Sequence, residues 1–164
     1  MIKHFTATQK GLITGVVMIV ASIFSLYILK NPLGSYFQFI VYTLFCLGVL
    51  WSLFSYSKSA TEKKAFRDYF SAGFKTFIVV TLCMALFTFI YFSIDTTFRD
   101  TTIAENNRLL ILQGDHLPNE IVENTKQLKK MFMPLMISSS VFRYLLLGAL
   151  MTVIGSGFLV KNKR

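Results

Sequence analysis

At 164 residues the chain has room for one domain, and 54% hydrophobic residues with a mean hydropathy of +0.56 exclude an ordinary soluble globule. A net charge of +9 would point a soluble protein toward nucleic acid. Here the lysines and arginines sit beside long apolar runs, so anionic lipid headgroups are the expected partner and nucleic acid is not.

Met1–Lys10 is basic and precedes the apolar run Gly11–Leu29. That run is too long for the core of a signal peptide and no small-x-small site follows it, so it reads as a retained first span. Spans are predicted at about residues 10–30, 36–57, 74–95 and 133–160 of a single four-helix domain covering 1–164. Each is near twenty residues, which as helix rises roughly 30 Å, the thickness of a hydrocarbon core. The fold class is therefore all-α, an integral membrane bundle of four transmembrane helices.

Asn31-Pro32-Leu33-Gly34-Ser35 reads as a tight turn, which makes spans one and two antiparallel neighbours. The next connection differs. Between Ser57 and Gly73 the basic residues Lys63, Lys64 and Arg67 alternate with Phe66, Tyr69, Phe70 and Phe74 at helical spacing. That pattern predicts a separate interfacial helix, with Lys63, Lys64, Arg67, Tyr69 and Phe70 as its membrane-interface anchors.

Residues 96–132 are too many for a plain turn. A short helix is predicted over Ile103–Leu112, a break at Gln113–His116, and a second helix starting at Leu117-Pro118-Asn119 and running toward span four. Charge sets the orientation. Lys3, Lys10, Lys58, Lys63, Lys64, Arg67, Lys75, Lys161, Lys163 and Arg164 share one side with only Glu62 and Asp68. On the other side, the basic residues are balanced by six acids, among them Asp95, Asp100 and Glu105. Both termini are thus predicted in the cytosol, with 96–132 as the extracytoplasmic loop.

Arg143 lies in an apolar run, but eighteen residues separate it from Lys161, roughly 27 Å of helix. That depth lets it snorkel to the outer interface, at nearly the height of Asp95. Asp95 and Arg143 are the expected structural ion pair, tying the outer ends of spans three and four. Gly11 and Gly15 at GxxxG spacing, with Ser22, and Gly148 and Gly155 in span four mark close helix approach. Spans one and four are expected to meet through them.

Between their flanking charges the spans hold no acid, His, Lys or Asn. Ion-coupled transporters ordinarily need such a group at depth. His4 and His116 fall on opposite sides, Cys46 and Cys83 are isolated in apolar surroundings, and no serine has a histidine beside it. No catalytic residue, metal site or cofactor is expected, and enzyme activity is not.

Tyr69-Phe70-Ser71-Ala72-Gly73-Phe74-Lys75 enters span three, Tyr91-Phe92-Ser93-Ile94-Asp95 leaves it, and the Gly148-containing fourth span ends in Lys161-Asn162-Lys163-Arg164. With these motifs, nearly the whole chain resembles a bacterial four-helix membrane family, domain of unknown function 4199. The resemblance implies the fold and an inner-membrane address; it implies no activity and brings no functional residues. The expected role is a structural or accessory subunit of a larger membrane complex, through a membrane-protein partner or self-association. The alternative is a homo-oligomeric channel or facilitator, its polar path built from hydroxyls such as Thr14, Ser22, Thr43 and Thr81.

Overall fold

The computed structural model describes residues 5–28, 35–59, 65–114 and 117–161, without the side chains of 26–28, 35–38 and 113. Lys63, Lys64, the Asn31–Gly34 turn and both histidines lie outside the described residues. Among the described residues five helices form: α1 (Ala7–Ile28), α2 (Ser35–Lys58), α3 (Phe66–Ile94), α4 (Thr97–Gln113) and α5 (Pro118–Lys161). α1, α2, α3 and α5 are each long and apolar enough to cross a membrane.

The helix ends are written in local chemistry. At the start of α1 the Thr6 amide donates to Gln9 Oε1 (2.9 Å) and the Gln9 amide to Thr6 Oγ1 (3.3 Å). This reciprocal pair satisfies two amides that the helix itself cannot. α3 starts on half of the same device, the Ala65 amide donating to Asp68 Oδ2 at 3.0 Å. α5 uses the Leu117 amide and Glu120 Oε2 (3.1 Å), with Pro118 at the first helical position, where its missing N–H costs nothing. α4 closes on Gly114, whose φ of 73° suits glycine and lets its amide reach the Ile111 carbonyl at 3.2 Å.

Three boundaries differ from the sequence reading. Phe66–Gly73 is the opening of α3 rather than a separate interfacial helix, because nothing after Asp68 interrupts the helical run. α5 is a continuous 44 residues, about 66 Å and twice a hydrocarbon core, so its charged first half has no place in lipid. Pro134 lies inside it and does not end it. α4 starts at Thr97, six residues ahead of the predicted Ile103.

The chain forms two compact units, residues 1–84 with 141–164, and residues 85–140. In the first, Met18, Phe45, Val49, Leu53, Tyr69, Phe77 and Val80 make the core. Glycines set which helices approach. A Cβ on Gly11 would stand 2.7 Å from the Thr76 carbonyl oxygen, and one on Gly15 would stand 2.9 Å from Cys83 Cβ, both on α3. A Cβ on Gly148 would meet the Phe77 ring of α3, and one on Gly155 would meet Leu53 of α2. The expected meeting of spans one and four is therefore corrected: their packing glycines face α3 and α2. Small residues tell that a helix is approached closely, not by which neighbour.

In the second unit, α4 and the first half of α5 form a helical hairpin. Phe92, Phe98 and Phe132 cluster at its base, with ring centroids 5.6 to 6.1 Å apart. Midway, the Asn107 amide meets the Thr125 hydroxyl through Nδ2 at 2.8 Å and Oδ1 at 3.1 Å.

Candidate functional site

Antiparallel packing brings the start of α1, the end of α2 and the first turns of α3 to one end of the first unit. A cavity of about 420 Å³ opens there, within the range of small-molecule sites. Its wall is polar. Thr6, Thr8 and Lys10 come from the start of α1, Ser52, Tyr56 and Ser59 from the end of α2, and Asp68, Ser71 and Lys75 from α3.

Below it lies a layer of fixed hydrogen bonds. The Ser52 and Thr76 hydroxyls are 2.6 Å apart, and Thr76 Oγ1 also donates toward the carbonyls of Ala72 (3.0 Å) and Ala7 (3.1 Å). This hydroxyl pair pins three helices at one level. Thr76 and Ser52 are completely buried, so the bonds are shielded from water.

Lys10 is the unusual member. It is only 5% exposed, and its Nζ donates to Ser55 Oγ at 2.7 Å. An ammonium has three protons to donate, and among the described residues no carboxylate pairs with this one. Lys75 at the rim is exposed and also has no acidic partner. Among the described residues Asp68 is the one carboxylate on the wall, and it is engaged by the Ala65 amide. Two ammoniums among the described residues stand against one carboxylate there. From sequence Lys10 reads only as a flanking charge; its burial depends on the register of α1 against α2, which no local pattern encodes.

The other expected site residues fall as follows. Arg67 is exposed. Phe70 stacks between Phe66 and Phe74, each 6.0 Å away. Tyr69 is completely buried and packs edge-on to Tyr56 at 5.9 Å, so it serves the core and is not available as a headgroup anchor. Ser22 donates to its own helix at the Met18 carbonyl, 2.8 Å. Thr14, Thr43 and Thr81 likewise bond the carbonyl four residues back, which uses the hydroxyl protons of the proposed polar path.

Asp95 belongs to the second unit, where it accepts the Thr97 amide at 2.9 Å and the Tyr91 hydroxyl at 3.2 Å. Thr97, through its side chain and then its amide, holds the Asp95 carboxyl below the usual aspartate range. Arg143 belongs to the first unit, where Nη1 donates to the Tyr42 hydroxyl at 3.5 Å. Among the described residues no group of three or more His, Cys, Asp or Glu is placed to hold a metal.

Four apolar helices around a hydroxyl-pinned core define a helical, multi-pass membrane protein. The chain belongs to the family described as Protein of unknown function (DUF4199), whose family model matches residues 9–161. No curated protein and no solved structure matches it.

Proposed function

We propose that this protein is a small accessory subunit of a larger membrane complex, seated in a bacterial inner membrane with both termini in the cytosol. The observation that supports this reading is the tip of the α4–α5 hairpin. Around Gly114, Leu112 is 72%, Leu117 67% and Val122 68% exposed, and Leu109 and Ile111 are exposed beside them. Their neighbours Glu105, Arg108, Glu120, Glu123 and Lys126 are charged, which does not suit a lipid-embedded segment. Large apolar side chains gathered outside the spans, in water and off their own core, are the signature of a surface that another protein covers.

The orientation follows from charge. Lys58 and Lys161 end α2 and α5 and stand with Arg67 and Lys75 at the end of the first unit that carries the start of α1. Basic residues gather on the cytosolic side of membrane proteins.

Gentle extraction of the protein from its native membrane, followed by native mass spectrometry, tests the role. The expected result is a stoichiometric complex with a larger membrane protein, lost in Leu112→Asp and Leu117→Asp while the helical content of the isolated chain is unchanged. A closed homo-oligomer that both variants retain would instead favour the channel reading, and a lone monomer in native membrane extracts would rule the accessory role out.

A further inference from the structure

We propose that the lysine-lined cavity between the start of α1, the end of α2 and the start of α3 is a binding site for the phosphate of an anionic membrane phospholipid, with the Lys10 ammonium as its main contact. The proposal is independent of the accessory role.

The physical case begins with Lys10. A buried cation without a counter-ion is costly, and proteins ordinarily remove the cost by pairing it. Among the described residues the only side chain that meets this ammonium is the Ser55 hydroxyl, which leaves donor capacity unused. The cavity that Lys10 lines also carries a second ammonium at the rim, Lys75, and the Ser71 hydroxyl. A phosphate accepts through several oxygens, so it can meet both ammoniums and the Ser71 hydroxyl together. Asp68 is the unfavourable member of the wall. Its charge is partly spent on the Ala65 amide and the start of α3, and two lysines outweigh it.

The source of the phosphate follows from position. The cavity lies where α1 begins and α2 ends, at the boundary of two candidate spans, Ala7–Ser25 and Phe39–Lys58. That is the level of the headgroups. A lipid phosphate arrives there at the high local concentration of the bilayer, whereas a soluble phosphate must compete from bulk water.

Trp51 is the only tryptophan, but it lines a separate apolar recess with Ile13, Val17 and Leu47, so bound lipid is read by adduct mass, with fluorescence as a secondary signal. The purified full-length protein in an uncharged detergent is titrated with short-chain phosphatidylglycerol, and separately with inorganic phosphate and with phosphatidylcholine. Phosphatidylglycerol is expected to saturate at one molecule per chain, with phosphatidylcholine and inorganic phosphate far weaker. Loss of a charge-assisted hydrogen bond in Lys10→Gln should weaken binding about tenfold or more. The exposed Lys75→Gln, which leaves the core untouched, should weaken it about threefold. Lys129→Gln, on the α5 half far along the chain from the cavity residues, should bind as the parent does.

If Lys10→Gln does not fold, Lys75→Gln and the cavity-filling Ser71→Leu carry the decision. Unchanged phosphatidylglycerol binding in the folded cavity variants overturns the site, as does an equal loss in Lys129→Gln. Tight inorganic phosphate binding without phosphatidylglycerol binding overturns the lipid source.

Discussion

Exchanging glycine for alanine at two positions of this bundle should shift stability in opposite directions. In Gly11→Ala the new methyl stands 2.7 Å from the Thr76 carbonyl oxygen, 3.0 Å from Val79 Cβ and 3.3 Å from Thr76 Cα. The nearest obstacle is backbone, so no rotamer change relieves it and α1 must move away from α3. Overpacking of this kind costs about 1–3 kcal/mol. Alanine returns about 0.8–1 kcal/mol of helix propensity, for a net loss of up to about 2 kcal/mol. The same movement lengthens the 3.1 Å bond from Thr76 Oγ1 to the Ala7 carbonyl, although Ala72 can keep that hydroxyl satisfied. Gly157→Ala is the matched control. Nothing lies within 4 Å of its new methyl, so only the propensity gain remains, and stability should rise by up to about 1 kcal/mol. Unfolding in mixed micelles, followed by Trp51 fluorescence, measures both. Equal shifts of the same sign would refute the α1–α3 packing.

Other consequences are local. In the hairpin, Asn107→Ala and Thr125→Val should each cost about 1 kcal/mol, and the double variant barely more than either alone, because both remove one shared contact. A double-mutant cycle read by hydrogen exchange of α4 checks this. The lowered Asp95 carboxyl ties the α3–α4 corner to pH. Its contribution is fully present above the ordinary aspartate value of about 3.9 and is lost as pH falls through the lower folded value. Protease sensitivity of the Thr97 turn should rise across that acid window in the parent, and Asp95→Asn should be sensitive at every pH. The exposed pair Arg99–Asp100 at 3.0 Å should matter little, with Arg99→Gln shifting stability by less than about 0.5 kcal/mol.

The spans were legible because composition and flanking charges encode them directly. Apolar runs ending at Lys58 and Lys161 coincide with the ends of α2 and α5. The break at Gln113–Gly114 and the restart at Pro118 were legible as well, since a positive-φ glycine and a first-turn proline carry their own chemistry. Boundaries hidden inside helices were not. Arg67 read as an anchor on a separate interfacial helix, yet with Asp68 it forms the exposed first turn of α3. Contacts between helices were the least legible. Whether Lys10 points to water or into a cavity, and whether Tyr69 faces headgroups or the core, is decided by helix rotation and register. Those are set by packing across elements distant in sequence, such as Lys10 on Ser55 and Thr76 on Ala7.

Chemical labelling of single cysteines on either side of the membrane tests the arrangement most directly. With Cys46 and Cys83 replaced by alanine, Val122→Cys reports the hairpin and Lys161→Cys the end of α5, both at exposed positions. In intact cells with a permeable outer envelope, an impermeant maleimide should modify Val122→Cys at once and Lys161→Cys only after the inner membrane is opened. Modification of both from the same side would contradict a chain whose last helix crosses lipid between them.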